Sequence, residues 1–162
     1  MSKFKSSINL AFYYGFLIFI SLMAYFFVLS LSGIEYMSAL RYLNGAFLLG
    51  GLIIAVRKFL KDHNYNLQFF QGFKFGVLTS FFATVFYAVF LFVYLNIDNN
   101  FLTNMQENEN IGQFITPISM TFVILVEGII SGLIFTLGIM QYYKKYTYPR
   151  VATQNSDEKV DA

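Results

Sequence analysis

The sequence contains no cysteine and few charged residues, and each shortage excludes certain functions. Without cysteine the chain has no disulfide, no thiol nucleophile and no thiolate metal site. Charged residues make up only 12% of the 162 residues, against about 25% in an ordinary soluble domain. A single histidine, His63, is too little for a histidine-based metal site. The net charge of +2 gives no electrostatic reason to expect a nucleic-acid partner.

The sequence contains four long apolar runs. The composition is 57% hydrophobic and 20% aromatic, and the apolar runs cover residues 8–31, 34–56, 75–97 and 118–140. About 20 apolar residues suffice to cross a bilayer as a helix, although the second run includes Glu35 and Arg41 in its outer turns. We therefore expect an all-α polytopic membrane protein with a bundle of four transmembrane helices within residues 1–145. The polar residues 146–162 should form a disordered cytoplasmic tail.

The basic residues predict the orientation of the bundle. All but one of the eleven fall on one side of a four-span arrangement: Lys3, Lys5, Arg57, Lys58, Lys61, Lys74, Lys144, Lys145, Arg150 and Lys159. The other side carries the acidic residues Glu35, Asp98, Glu107 and Glu109. Because basic loops stay in the cytoplasm, both termini are predicted to be cytoplasmic.

Small residues recur at a spacing of four in three of the apolar runs. The series are Gly72, Gly76, Ser80 and Thr84; Gly128, Gly132 and Thr136; and, in the second run, Ala46 with Gly50 and Gly51 with Ala55. This spacing aligns each series along one helical face, and small residues let helices approach closely in lipid. The pattern predicts helix packing at Gly72, Gly76, Ser80, Gly128 and Gly132. It leaves open whether these faces pack within the bundle, in a homo-oligomer or against a membrane-protein partner.

One carboxylate lies in the middle of the fourth run, in the stretch VEGIISG. A charged side chain at that depth costs at least about 2.5–3.5 kcal/mol, so Glu127 must be neutral, paired or in contact with water. Arg41 and Asn44 lie on one face of the second run. We expect Glu127 to face the bundle interior and to contact Arg41, Asn44 or both. The alternatives are a proton or cation site and a protonated or water-facing carboxyl group.

The motifs of catalysis are missing. The glycines of GAFLLGG lack the lysine of a phosphate-binding loop, and no serine lies in a G-x-S-x-G turn. No segment holds a pair of carboxylates suited to acid–base chemistry. The sequence therefore predicts no enzyme, no metal site and no cofactor. It favours a non-enzymatic accessory or interaction protein in the lipid bilayer, and the alternative function is a small transporter or channel that uses Glu127.

The middle of the chain resembles a known family. In KFLKDHNYNLQFFQGFKFGVLTSFFATVFYAVFLFVYLNIDNNFLTN a basic connector precedes a glycine-containing span, an aromatic run and an Asp-Asn-Phe turn. This layout is similar to that of the domain-of-unknown-function family DUF4199, small bacterial membrane proteins with four spans. The resemblance is detailed over residues 70–101 and implies a location in the bacterial inner membrane. The family has no established activity, so the resemblance transfers no site residue.

Overall fold

The computed structural model describes residues 2–31, 38–63, 69–97, 103 and 116–147. Its regular structure consists of four long α-helices: α1 (Ser2–Leu31), α2 (Ser38–Asp62), α3 (Phe69–Ile97) and α4 (Pro117–Thr147). Each contains a stretch long and apolar enough to cross a membrane, which confirms the prediction of four apolar helices. Residues 148–162, most of the predicted tail, lie outside the described part of the chain.

The helices continue past the charged residues at which the apolar runs end. Within the described side chains, the apolar stretch of α2 that could cross a membrane is Leu43–Asp62, and it extends past residue 56, where the predicted run ends. It passes through Arg57 and Lys58 because Phe59 and Leu60, on the same extension, are buried. The Phe59 ring stacks on Phe75 of α3, with ring centroids 4.1 Å apart and planes within 3°. Packing between helices therefore extends beyond the uninterrupted apolar sequence.

The first turn of α4 has a clear start signal. Thr116 Oγ1 accepts a hydrogen bond from the Ser119 backbone N–H at 3.1 Å, and Ser119 Oγ accepts one from the Thr116 N–H at 2.8 Å. This reciprocal arrangement satisfies backbone donors that a helix N-terminus otherwise leaves free. Pro117 occupies the first helical position, where a missing N–H has no cost. These contacts set where the helix that carries Glu127 begins.

Helix α3 is the centre of the bundle. It contacts each of the other three helices, most extensively α4 and α1. Phe12 of α1 lies against Phe82, and Phe26 of α1 lies against Tyr94 further along α3, so α1 and α3 run in the same direction. Helices α2 and α4 run in the opposite direction and lie against each other where the Phe135 ring approaches Gly45.

The contact between α1 and α3 is mainly aromatic. Phe86 lies within 5.9 Å, between ring centroids, of Phe12, Phe16 and Phe19. The Phe12 and Phe16 rings meet Phe86 edge to face, an arrangement that aromatic pairs prefer, and the Phe19 ring is tilted against it. Gly15 marks a point in this contact where the backbones approach closely. A Cβ atom added there would lie 2.9 Å from the Thr79 carbonyl oxygen.

Candidate functional site

The small-residue faces of α3 and α4 pack against each other. Each glycine in the two series lies opposite a larger side chain of the other helix, in the pairs Gly72–Met140, Gly76–Thr136, Gly132–Ser80 and Gly128–Thr84. The residue numbers rise along one helix as they fall along the other, so the two helices are antiparallel. The structure thus brings together all five residues that the spacing singled out for helix packing.

These contacts are too close for any side chain at the glycines. A Cβ atom at Gly76 would lie 2.5 Å from Thr136 Cγ2, and one at Gly128 would lie 2.5 Å from Thr84 Cγ2. Real Cβ atoms essentially never approach other atoms this closely. Both faces are therefore occupied within the bundle, and neither is available to a second copy of the chain.

A row of buried hydroxyl groups lies on α3 and α4. Thr79, Ser80, Thr84 and Thr136 are each at most 5% exposed. Thr79 Oγ1 donates to the Phe75 carbonyl at 2.8 Å, and Ser80 Oγ donates to the Val77 carbonyl at 2.9 Å. Thr136 Oγ1 has no hydrogen-bond partner among the described residues. The row lies in a closely packed contact, so it does not line an open path.

Asn44 lies at the edge of the bundle interior and contacts Tyr87 of α3. Its amide nitrogen donates to the Tyr87 hydroxyl at 3.5 Å, which is long for a hydrogen bond and therefore weak. The amide oxygen of Asn44 is buried and has no hydrogen-bond partner among the described residues. Tyr87 was not among the residues that sequence reasoning selected, because an aromatic residue within an aromatic run gives no signal of polar function.

Glu127 does not face the bundle interior, so this expectation from the sequence is wrong. Its side chain is exposed on the surface of α4, although it interacts with another residue of the chain. The physical reason is helical geometry. Gly128 points toward α3, and the residue before it is rotated by about 100° away from that contact.

Arg41 lies in the first turns of α2, and its side chain is outside the described part of the structure. The predicted Glu127–Arg41 contact therefore stays a prediction. Arg41 lies one helical turn before Gly45 in α2, and Glu127 lies two turns before Phe135 in the parallel helix α4. The Phe135 ring approaches Gly45, and because such a ring leans toward the N-terminus of its helix, the Phe135 backbone lies beyond Gly45 along the bundle. The backbones of Arg41 and Glu127 thus lie at similar depths.

The described side chains offer little for metal binding or acid–base chemistry. No three histidine, aspartate or glutamate side chains among them lie close enough together to hold a metal ion. His63 directly follows α2, where its Nδ1 lies 2.9 Å from the Phe59 carbonyl oxygen and its ring lies against Phe59. Asp62 pairs with Lys58 at 3.0 Å. These groups close the end of a helix, and Glu127 remains the chemically distinctive residue within a span.

Comparison with known proteins gives one match. Residues 11–145 match the family described as "Protein of unknown function (DUF4199)". No curated protein and no solved structure matches the chain.

Proposed function

Because the chain belongs to the DUF4199 family, whose activity is unknown, we propose that it is a non-enzymatic accessory or interaction protein. It resides in the bacterial inner membrane with both termini in the cytoplasm. Its partner is another component of that membrane. The four apolar helices support a membrane location, and the exposed surface of the bundle leaves room for the interaction role.

The observation that carries this proposal is the contrast between the inside of the bundle and one part of its surface. The buried hydroxyl groups and the glycines of α3 and α4 are in close contact with each other. Glu127, the carboxylate within a span, is instead exposed. It interacts with another residue of the chain, but the surface of α4 around it, unlike the α3–α4 contact, is open to another component of the membrane.

Isolation from native membranes in mild detergent tests the interaction role. We expect the protein to elute in a complex with at least one other membrane protein, in amounts that stay in constant ratio to it. A Glu127→Leu variant prepared in parallel controls for nonspecific association. A strictly monomeric species without any co-purifying protein would remove the basis of the proposal.

Transport is the second candidate function, and Glu127 is the observation that favours it. As Glu127 lies outside the bundle, a path past it requires a second subunit. We expect purified protein in vesicles to give no more proton or cation flux than empty vesicles under imposed gradients. Flux that depends on Glu127 would replace the accessory role with transport.

The orientation is tested by cysteine labelling, which is clean because the native chain contains no cysteine. A cysteine at Asn104 should react with a membrane-impermeant reagent added outside the cell. Cysteines at Asn64 and Asn155 should react only after the membrane is opened. Reaction of Asn155→Cys from outside would contradict the cytoplasmic location of the C-terminus.

A further inference from the structure

We propose that the outer side of α2, where it ends in Arg57 and Lys61, binds an anionic phospholipid. The phosphate group of the lipid lies against these two cations, and an acyl chain lies along Ile54. We call Ile54, Arg57 and Lys61 the α2 strip. The inference goes beyond the proposed interaction role and depends only on a membrane location, which the four apolar helices support.

Helical periodicity places the α2 strip on the outside of the bundle. Phe59 and Leu60 mark the buried side of α2, because both are at most 3% exposed and both lie against α3. At 3.6 residues per turn, Arg57, Lys61 and Ile54 lie roughly 60°, 100° and 120° beyond Leu60, in the direction away from Phe59. All three side chains are exposed. They therefore form one strip that no other described helix covers.

Arg57 and Lys61 lack the acidic partner that the lysine between them has. Lys58 pairs with Asp62 at 3.0 Å. Among the described residues, Arg57 and Lys61 have no ion-pair partner, although they are four residues apart and so are neighbours on the helix surface. Two such cations can both donate hydrogen bonds to the oxygens of one phosphate group.

The charge of this end of the bundle also favours an anionic ligand. Gly72 of α3 marks the level, because side chains of both α2 and α4 lie against it. Lys74 lies just after Gly72 on α3, Lys144 lies near the end of α4, and both are exposed. The described side chains at this end thus carry more positive than negative charge. Arg57 and Lys61 differ from the other two cations because they lie one turn apart on a single helix.

The apolar part of the α2 strip favours a lipid over other anions. Ile54 is 63% exposed and lies about one turn before Arg57, within the stretch Leu43–Asp62 that is apolar enough to cross a membrane. A phospholipid offers a phosphate group to the cations and an acyl chain to Ile54. A free phosphate ion or an acidic peptide from the aqueous phase would meet the cations alone. Basic sites beside membrane-spanning helices are known to bind anionic headgroups.

Native mass spectrometry of the purified full-length chain tests the inference, with phosphatidylglycerol or phosphatidylcholine titrated into the detergent solution. We expect phosphatidylglycerol to bind more tightly than phosphatidylcholine. Arg57→Gln combined with Lys61→Gln should weaken the binding of phosphatidylglycerol about 5- to 30-fold, because each basic residue near an anionic headgroup contributes about 5-fold. Inorganic phosphate at the same concentration as the lipid should not displace it.

A matched pair of substitutions separates a site from general attraction. Lys74→Gln combined with Lys144→Gln removes the same two charges from the same end of the bundle and should weaken binding less than 3-fold. Arg57→Lys combined with Lys61→Arg retains both charges and should bind like the native chain. Because Arg57 and Lys61 are exposed, none of these variants should lower the unfolding temperature in the absence of lipid.

Three outcomes would overturn the inference. Equal weakening by the two glutamine pairs would mean that the lipid senses only the net charge of this end. Equal binding of phosphatidylcholine and phosphatidylglycerol by the native chain would mean that the cations are not used. Displacement by inorganic phosphate would assign the cations to a soluble anion. Each outcome leaves the interaction role intact, because co-purification of a partner protein tests that role separately.

Discussion

Helix α3 contacts its two main neighbours in opposite ways. Toward α4 it presents Gly72, Gly76 and Ser80, and the helices meet through glycines and short side chains. Toward α1 it presents Phe82, Phe86 and other rings, which meet the rings of α1 edge to face. The first contact has no room for an added carbon atom at its glycines, whereas the second, apart from the close approach at Gly15, consists of large side chains that can adjust.

The difference shows where this bundle gains its specificity. Lipid tails are as apolar as the helices, so burial of apolar surface alone does not select one partner helix over another. The glycine contacts allow only one register between α3 and α4, because a shift of one residue would place side chains against side chains. Aromatic rings can repack at a small cost. We expect added volume to disrupt the α4 side and removed volume to weaken the α1 side.

The largest effect is expected from Gly132→Leu. The new side chain would collide with Ser80, and overpacking at such a contact destabilises by about 3 kcal/mol. Thermal unfolding in detergent measures the loss. Gly138→Leu is the matched control on the same helix, because open space surrounds it. Equal loss of stability in the two variants would mean that the register between α3 and α4 is not set by Gly132.

The next effect is expected from Gly15→Ala, which tests the close backbone approach at Gly15 in the aromatic contact. Its methyl group would lie 2.9 Å from the Thr79 carbonyl oxygen and 2.8 Å from Phe82 Cβ. Backbone atoms move less readily than side chains, so we expect destabilisation by about 2 kcal/mol, read as a lower unfolding temperature. Gly50→Ala is the control. If Gly15→Ala is as stable as the native protein, the close approach at Gly15 does not fix the position of α1.

Phe86→Ala should have a smaller effect than either glycine substitution. It removes ring contacts to Phe12, Phe16 and Phe19, each worth about 0.5–1.5 kcal/mol in proteins. Lipid chains can fill the vacated space, so we expect a net loss of about 1–2 kcal/mol. Phe92→Ala, at an exposed position of α3, is the control for side-chain removal. A loss of stability greater than that of Gly132→Leu would show that the aromatic α1–α3 contact matters more for stability than the glycine contact between α3 and α4.

The smallest effect is expected from Tyr87→Phe, which removes the hydroxyl group that contacts Asn44. At 3.5 Å this contact is weak, and interhelical hydrogen bonds in membranes average about 0.6 kcal/mol. Stability should fall by about that amount, as measured by thermal unfolding beside Tyr13→Phe, which removes a hydroxyl group at an exposed position of α1. A loss of several kcal/mol would place the polar contact above the aromatic packing in importance.

The Glu127–Arg41 prediction is tested by a double-mutant cycle. If the residues are paired, Glu127→Ala alone should destabilise the protein, because it leaves Arg41 without its partner. Adding Arg41→Leu should recover part of the loss, since removal of both members of an ion pair is often nearly neutral. Additive losses of stability would show that the two side chains do not meet.

The four helices could be predicted from the sequence because their length and apolar character are local properties. Their ends could not, because the sequence reading stopped at Arg57 and Lys74 whereas α2 and α3 continue beyond them. The continuation depends on the stacking of Phe59 on Phe75, a contact between distant residues. A charge at a membrane boundary ends an apolar run without ending the helix.

Pairing of the small-residue faces needed the structure. Similar spacings occur on α2, α3 and α4, and no local property says which pairs with which. One close contact had a signal that was overlooked: Ala11 and Gly15 of α1 also lie four apart, and both are buried. The expected orientation of Glu127 was wrong because a carboxylate at membrane depth was assumed to face inward, whereas Gly128, and not Glu127, points toward α3.

The hydrogen bonds of the α3 hydroxyl groups matter during synthesis of the protein. Helix α3 leaves the ribosome before α4, so the side of α3 that will contact α4 is in the membrane before α4 is present. The Thr79 and Ser80 hydroxyl groups donate hydrogen bonds to carbonyl groups of α3 itself. Neither hydroxyl group therefore needs α4 as a hydrogen-bond acceptor. The incomplete chain can therefore keep α3 inserted in lipid until α4 has been synthesised.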